Sequence, residues 1–358
     1  MKSSCDQEGG VSVGQSDTLR AKLLGWYDAH ARELPWRRTS DPYRVWVSEI
    51  MLQQTRVAAV IERYQEFLGR FPNVEKLAAA RESSVLAAWS GLGYYRRARR
   101  LHRAAKVVAH ERGGKFPETA EDWRALPGIG RYTAAAIASI AMGEPVAVVD
   151  GNVERVFERM VGKPISGEQV WKLAETLLDR NRPGDFNQAM MELGATMCTP
   201  RAPSCLMCPL VELCATRGEL SRQGKAAKQH KREVHYALHR RNGSVLLTQR
   251  HPDERLMAGM WELPEIVGPV DHSAPLFTLK HSITVTDYTV TVWPASEVAG
   301  IAGKWWSMDR LPGLPLTGLA RKILGRSGIF RASEAKWTSS RMAGRASVEN
   351  RSLGGRGR

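Results

Sequence analysis

Between residues 18 and 194, apolar residues return at the three- and four-residue spacing of amphipathic helices. Breakers divide the run at Pro35, Pro42, Pro72, Gly91 and Gly93, Pro117, Pro127, Pro145, Pro164 and Pro183. This pattern predicts an all-α domain of moderate-length helices. After residue 233 the period changes. Residues 234–239 and 244–249 alternate in the manner of strands and are joined by Arg241-Asn242-Gly243, a turn suited to a β-hairpin. Further strands are expected over 283–293 and 303–307, with a helix over 317–324, so the second domain reads as α+β. Residues 1–16 are polar and rich in Gly and Ser, and residues 326–358 are rich in Arg, Ser and Gly; neither predicts a packed element. The expected organisation is therefore a multidomain chain: 1–16 disordered, 17–215 all-α, 216–233 a basic linker, 234–325 α+β, and 326–358 a disordered basic tail.

The most informative stretch is LPGIGRYTAAAIAS at 126–139, followed by VVDGN at 148–152. Its turn, Pro127-Gly128-Ile129-Gly130, lies between two helical patterns. A backbone without side chains at Gly128 and Gly130 can approach a phosphate and direct N–H groups at it, with Arg131 beside them. Alone this is a turn between helices, and Ser90-Gly91-Leu92-Gly93 repeats it weakly. Asp150, however, ends the apolar run 146–149 and precedes Gly151 and Asn152, a helix start that puts a carboxylate near the gripped strand. The combination resembles the helix-hairpin-helix DNA glycosylases of the endonuclease III superfamily.

Composition narrows this less than its totals suggest. The 358 residues carry a formal net charge of +15 with 43% hydrophobic residues, enough apolar content for two cores. Ten of the fifteen net charges lie in the linker and the tail, where basic residues are often only solvated, so the motifs must carry the nucleic-acid reading. Residues 94–103 hold five arginines spread around one helix, which cannot all be buried. No apolar run reaches transmembrane length and the start, MKSSCDQEGG, lacks the apolar region of a signal peptide. A cytoplasmic, nucleoid-associated protein with no membrane partner is expected, and reducing conditions suit its cysteines.

Four of the five cysteines, Cys198, Cys205, Cys208 and Cys214, give the spacing C-x6-C-x2-C-x5-C. Four thiolates in one short loop can surround a [4Fe–4S] cluster or a tetrahedral zinc, although zinc usually takes two C-x2-C knuckles and here there is one. The spacing resembles the iron–sulfur loop of the endonuclease III and adenine glycosylase families. That resemblance implies a structural [4Fe–4S] cluster, with Arg201 near phosphates. Cys5 lies in the polar start and has no assigned role.

LPWRRTSDPYRVWVSEIMLQQT, residues 34–55, resembles the adenine DNA glycosylases of the MutY family. The resemblance covers residues 18–215 closely and 234–325 loosely. Glu49 sits on a helix beside Val45, Ile50 and Leu52, and a carboxyl among apolar groups stays protonated toward neutral pH. The adenine anion leaves poorly, so its removal needs a general acid, and the family implies that Glu49 protonates N7. The sugar then gains oxocarbenium character, which an ionised Asp150 at a helix start can stabilise or attack, with Asn152 orienting it or a water. In strand-cutting relatives the position of Tyr132 holds a lysine that forms a Schiff base. A phenol cannot, so the resemblance implies a monofunctional glycosylase in which Tyr132 positions Asp150 or the sugar. It also implies that Arg32, Trp36, Leu52 and Gln188 hold the extruded base, and that Gln54, Leu92 and Tyr94 wedge around the opposing base. Trp36 reads equally well as core, and Gln53 as a helix-surface amide.

LMAGMWELPE at 256–265, then KHSIT and the stretch from Gly303 to Leu324, resemble the Nudix-like C-terminal domain of the same family, which reads 8-oxoguanine through a Phe-Ser-His loop. No acidic helix for Mg²⁺ lies between Trp261 and His281, so nucleotide hydrolysis is not expected. The corresponding place here is Leu279-Lys280-His281, then Ser282, and only His281 keeps the pattern. The expected partner is double-stranded DNA containing 8-oxoG·A or G·A, bound by a monomer. The alternatives are an endonuclease III-like pyrimidine-lesion glycosylase and a catalytically inert iron–sulfur DNA-binding protein.

Overall fold

The computed structural model describes residues 13–220, 229–254, 256–268, 274–283, 285–295 and 303–329. The expectations for the start, Cys5 included, for most of the linker and for most of the tail fall outside the described residues. The chain divides into two compact units between Lys225 and Ala226.

In the first unit eleven α-helices follow one another among the described residues. They are α1 (Val13–His30), α2 (Pro42–Leu52), α3 (Val57–Arg70), α4 (Val74–Ala78), α5 (Glu82–Ala88), α6 (Arg96–Lys106), α7 (Ala120–Arg124), α8 (Arg131–Ala141), α9 (Gly151–Val161), α10 (Gly167–Leu177) and α11 (Pro183–Thr196). The breakers act as helix starts as much as stops: Pro42 opens α2 behind the Asp41 cap, and Pro183 opens α11. α1 begins earlier than residue 17, because Ser16 packs inside and Asp17 pairs with Arg20 one turn later at 2.9 Å. One core joins α1, α9, α10 and α11 through Leu19, Leu23, Phe157, Leu177, Phe186 and Leu193.

Two close backbone approaches position the site. α8 is alanine-rich, with Ala134, Ala136 and Ala138 fully buried, so α2 and α11 both lie against it. At Gly194 on α11 a Cβ would sit 2.6 Å from the Asn152 Cβ, so only glycine lets α11 lie this near the start of α9. Among the described residues no helix is long and apolar enough to cross a membrane.

The second unit is a mixed sheet in the order β3-β2-β1-β6-β5, in which β4 also pairs with β1 and β7 with β2. Its strands are β1 (His230–Arg241), β2 (Ser244–Gln249), β3 (Trp261–Glu262), β4 (Glu265–Ile266), β5 (Phe277–Ile283), β6 (Thr286–Ala295) and β7 (Lys304–Ser307). The β1–β2 hairpin turns through Asn242 and Gly243, both at positive φ (47° and 70°), as the Asn-Gly signal predicts. β1 starts inside the expected linker. His230 to Glu233 are exposed, yet their backbone pairs in parallel with β6, and main-chain pairing leaves no apolar alternation to read. The strand expected over 283–293 is divided, because β5 ends at Ile283 and β6 starts at Thr286. Helix α12 (Gly318–Arg326), capped by Thr317, covers the core of Val245, Leu247, Val290, Val292, Leu316 and Ile323.

Candidate active site

Glu49 lies in the last turn and a half of α2 with its residue 5% exposed, facing α8. Burial pushes its carboxyl up to about 7. The hydrogen bond from Tyr132 pulls the other way, Asp150 adds to the rise and Arg37 opposes it. The Tyr132 hydroxyl donates to Glu49 Oε2 at 2.9 Å. Burial first, then the negative charges of Glu49 and Asp150, hold the Tyr132 phenol well above its ordinary value. Tyr132 therefore reaches Glu49, where the sequence had it serving Asp150 or the sugar. The reason is that the second residue of α8 faces α2, so its ring spans the two helices.

Asp150 is the N-cap of α9. Its Oδ1 accepts the backbone N–H groups of Asn152 and Val153 at 2.9 and 2.8 Å, and its Oδ2 accepts Asn152 Nδ2 at 2.9 Å. Three donors thus fix both oxygens of a half-buried carboxylate at the positive end of a helix. Asn152 is itself held by Arg155 Nη2 at 2.8 Å, and the same guanidinium donates to the carbonyls of Gly194 and Cys198 at 2.7 and 2.8 Å.

Sequence reasoning missed a buried ion cluster behind this pair. Glu192 on α11 has a side chain 1% exposed, and Arg32 grips it through Nε and Nη2 at 2.6 and 2.7 Å while Arg37 Nη2 adds a bond at 2.8 Å. Burial alone would raise Glu192, but the bonds from Arg32 and Arg37 outweigh it and bring the carboxyl down to about 2. Arg32, expected on the extruded base, is thus committed to a fork-to-fork pair. The only sequence signal was an acid set between Met190, Met191 and Leu193. Trp36 is core, 7% exposed and edge-on to Tyr64 at 5.5 Å. Leu52 and Gln188 are half-buried, at the end of α2 and on α11.

Of the three expected wedges, Gln54 and Tyr94 are exposed and both take positive φ, 54° and 46°. Leu92 is buried, because the tight turn between Gly91 and Gly93 folds its side chain inward. Gln53 is not a free surface amide, since its Nε2 donates to Thr133 Oγ1 at 3.0 Å.

The hairpin turn holds Gly128 at φ +83°, where a Cβ would also strike the Arg100 side chain at 2.6 Å. Gly130 is the N-cap of α8 and has no side chain to bond the first-turn N–H groups of that helix. Arg131 stacks over Trp171 at 3.8 Å and pairs with Glu168 at 3.1 Å, so α10 already engages the side chain expected at a DNA phosphate.

Cys198, Cys205, Cys208 and Cys214 line one pocket with Met197, Pro203 and Val211. Arg159 Nη1 lies 3.2 Å from Cys198 Sγ, and the Arg217 N–H points at Cys214 Sγ at 3.5 Å. Among the described residues no three His, Cys, Asp or Glu side chains are arranged to hold a single metal ion. Four sulfurs lining one space, with N–H donors aimed at two of them, are a donor set that an iron–sulfur cluster can use.

In the second unit His281 is not in a loop. It lies within the edge strand β5, paired with Tyr288, on the same face as buried Leu279. Lys280 points to the exposed face. Burial and the Lys322 charge lower the His281 imidazole.

Residues 47–179, which contain Glu49, Tyr132 and Asp150, match the family of HhH-GPD superfamily base excision DNA repair proteins. The adenine DNA glycosylase of Homo sapiens is 48% identical over 226 residues, 59% of this chain and 41% of that protein. The adenine DNA glycosylase of Rattus norvegicus is 40% identical over 335 residues, 75% of this chain and 65% of that protein. The chain thus spans between two fifths and two thirds of the length of these relatives. A solved thermostable thymine-DNA glycosylase superposes with a TM-score of 0.54 at 31% identity, covering 56% of this chain and 96% of that one.

Proposed function

We propose that this chain, whose residues 47–179 match the HhH-GPD superfamily of base excision DNA repair proteins, is an adenine DNA glycosylase that excises adenine mispaired with 8-oxoguanine and, more slowly, with guanine. The observation that carries this reading is a pair of carboxyls in contrasting surroundings: Glu49, buried and pushed up to about 7, and Asp150, whose two oxygens accept three N–H donors. Two carboxyls, one buried among apolar groups and one fixed by N–H donors, can divide the acid and anion roles of glycoside cleavage between them. The thymine-DNA glycosylase shares the fold and acts on another base, so the fold alone does not choose the base. The closer sequence relatives favour adenine.

In the reaction the target nucleotide leaves the duplex, since neither carboxyl can reach a stacked base. Glu49, kept protonated by burial, gives its proton to the adenine as the N-glycosidic bond breaks, and Tyr132 holds that carboxyl in position. Asp150 faces the developing positive charge on the sugar, and Asn152 keeps both of its oxygens aligned. A water completes hydrolysis. No amine stands where Tyr132 is, so no Schiff base forms at this position and the strand stays uncut. The 127–130 hairpin and the uncapped start of α8 take up a backbone phosphate.

Cys198, Cys205, Cys208 and Cys214 would hold a [4Fe–4S] cluster. When bound it supplies a fixed cross-link for the 198–214 loop and no electron to the reaction. The second unit is proposed as a Nudix-like reader of 8-oxoguanine, its contacts supplied from β5 around His281. The test is a Glu49→Gln variant assayed on an 8-oxoG·A duplex. Duplex binding should persist while base release is lost; undiminished release would remove Glu49 from the reaction.

A further inference from the structure

The turn that carries Gln54 and the turn that carries Tyr94 are joined by one side chain. Arg97, at the start of α6, directs Nη1 to the carbonyls of Ile50, Met51 and Gln53 at 2.8, 2.9 and 2.5 Å. Its Nη2 reaches Thr55 Oγ1 at 2.9 Å and the carbonyls of Leu92 and Gly93 at 3.0 and 3.2 Å. The first three acceptors are carbonyls at the end of α2, the helix that carries Glu49, which no further turn of helix can satisfy. The guanidinium also lies 5.5 Å from the ring centres of both Trp89 and Tyr94. Two weaker links lie in the same place: Thr55 Oγ1 to the Leu92 carbonyl at 3.3 Å, and Gln53 Nε2 to Thr133, next to Tyr132, at 3.0 Å.

All six hydrogen-bond acceptors are neutral oxygens. A charge half-buried on neutral groups contributes little net stability compared with an apolar filler, so what it secures here is geometry. That geometry is unusual. Gln54 and Tyr94 are both non-glycine residues at positive φ, a conformation that persists only where the surroundings fix it, and both side chains face solvent.

We propose that Arg97 is a positioning residue that locks the two turns into a single rigid two-pronged element, so that Gln54 and Tyr94 enter the duplex together and drive extrusion of the target base ahead of the chemistry at Glu49. This rests on the glycosylase reading. It assigns Arg97 to the extrusion step and not to bond cleavage, and it separates Arg97 from its neighbours Arg96, Arg100 and Arg103, which are exposed.

The experiment uses full-length protein in a Glu49→Gln background, where a base can be extruded but not released, and a duplex carrying 2-aminopurine in place of the target adenine opposite 8-oxoguanine. The Glu49→Gln protein should raise the fluorescence on binding. Adding Arg97→Gln should cut that rise about fivefold at saturating protein, with Arg97→Lys intermediate because one ammonium can serve one turn but not both. Thr55→Val, which removes one Arg97 acceptor together with the Thr55–Leu92 link between the same turns, should give a smaller loss and tests the locking of the turns should Arg97→Gln not fold. Opposite an abasic site, where extrusion breaks no base pair, all variants should regain the signal. An equal rise in every variant on the paired duplex overturns the proposal, as does a loss of the same size opposite the abasic site, which marks a general structural defect. No rise with Glu49→Gln alone, together with no adenine release by the unaltered protein, overturns the glycosylase reading and the proposal with it.

Discussion

Tyr132→Phe should move the alkaline limb of the pH–rate profile to higher pH. Glu49 is raised to about 7 chiefly by burial, and the Tyr132 hydroxyl opposes that rise by donating to Oε2 at 2.9 Å. A hydrogen bond to a charged acceptor contributes about 1.5–3 kcal/mol, and each unit of pKa corresponds to about 1.36 kcal/mol. Part of the bond survives when Glu49 is neutral, so the shift on its removal is about one unit and not two. The sign follows from which form loses its donor. The ionised carboxylate loses it, so the acid keeps its proton to higher pH, and the active fraction extends from a limb near 7 toward about 8. Phenylalanine keeps the ring and its packing, so Glu49 stays buried. Base release should be followed in single turnover from about pH 5.5 to 9.5 at enzyme concentrations below saturation, where the profile reports the free protein. The position of the limb is the readout, and the plateau rate is free to change. A limb that stays in place or moves to lower pH would refute the assignment of the proton to Glu49 or of the hydrogen bond to its ionised form.

Three further outcomes follow from the same contacts. Glu192→Gln should destabilise the protein by about 3–5 kcal/mol in chemical denaturation, the cost of breaking a buried ion pair by removing one partner; because the Glu192 carboxyl is depressed from 4.5 to about 2, its contribution is present above pH 4.5 and fades as pH falls toward 2, so the difference from the unaltered protein should shrink across that window. Gly194→Ala places a Cβ 2.6 Å from the Asn152 Cβ and 3.0 Å from the Asn152 carbonyl oxygen; it should cost about 1–3 kcal/mol and slow base release more than it weakens duplex binding, because the start of α9 must move and Asp150 moves with it. Cys205→Ser should remove a broad absorbance near about 400 nm and lower the bound iron; stoichiometric zinc without iron in the unaltered protein would contradict the cluster.

What the sequence revealed was local. Asp150 was legible because an acid before Gly-Asn-Val at the end of an apolar run is the grammar of a helix cap, and the cap geometry follows from those neighbours alone. Glu49 was legible from apolar residues one turn away. The Asn242-Gly243 turn named its own hairpin. What stayed hidden depends on pairs far apart in the chain: Glu192 meets Arg32 and Arg37 across 160 and 155 residues, and no local period records that. Arg97 was one of five arginines on a helix, and only the position of the α2 end distinguishes it. Leu92 and Trp36 show the opposite difficulty, since an apolar side chain reads alike as a wedge, a pocket wall or core, and the turn geometry and Tyr64 decide for core. Tyr132 was visible in its motif, but its partner was not, because which helix the second residue of α8 faces is a matter of packing.

The most direct test of the central claim is a side-by-side measurement of base release from 8-oxoG·A, G·A and thymine-glycol duplexes, each analysed with and without alkali. Adenine should be released fastest from 8-oxoG·A and more slowly from G·A, with no release from thymine glycol and strand breaks only after alkali. Release from thymine glycol with nicking in the absence of alkali would contradict that claim, and would return Glu49 and Tyr132 to the status of packing residues.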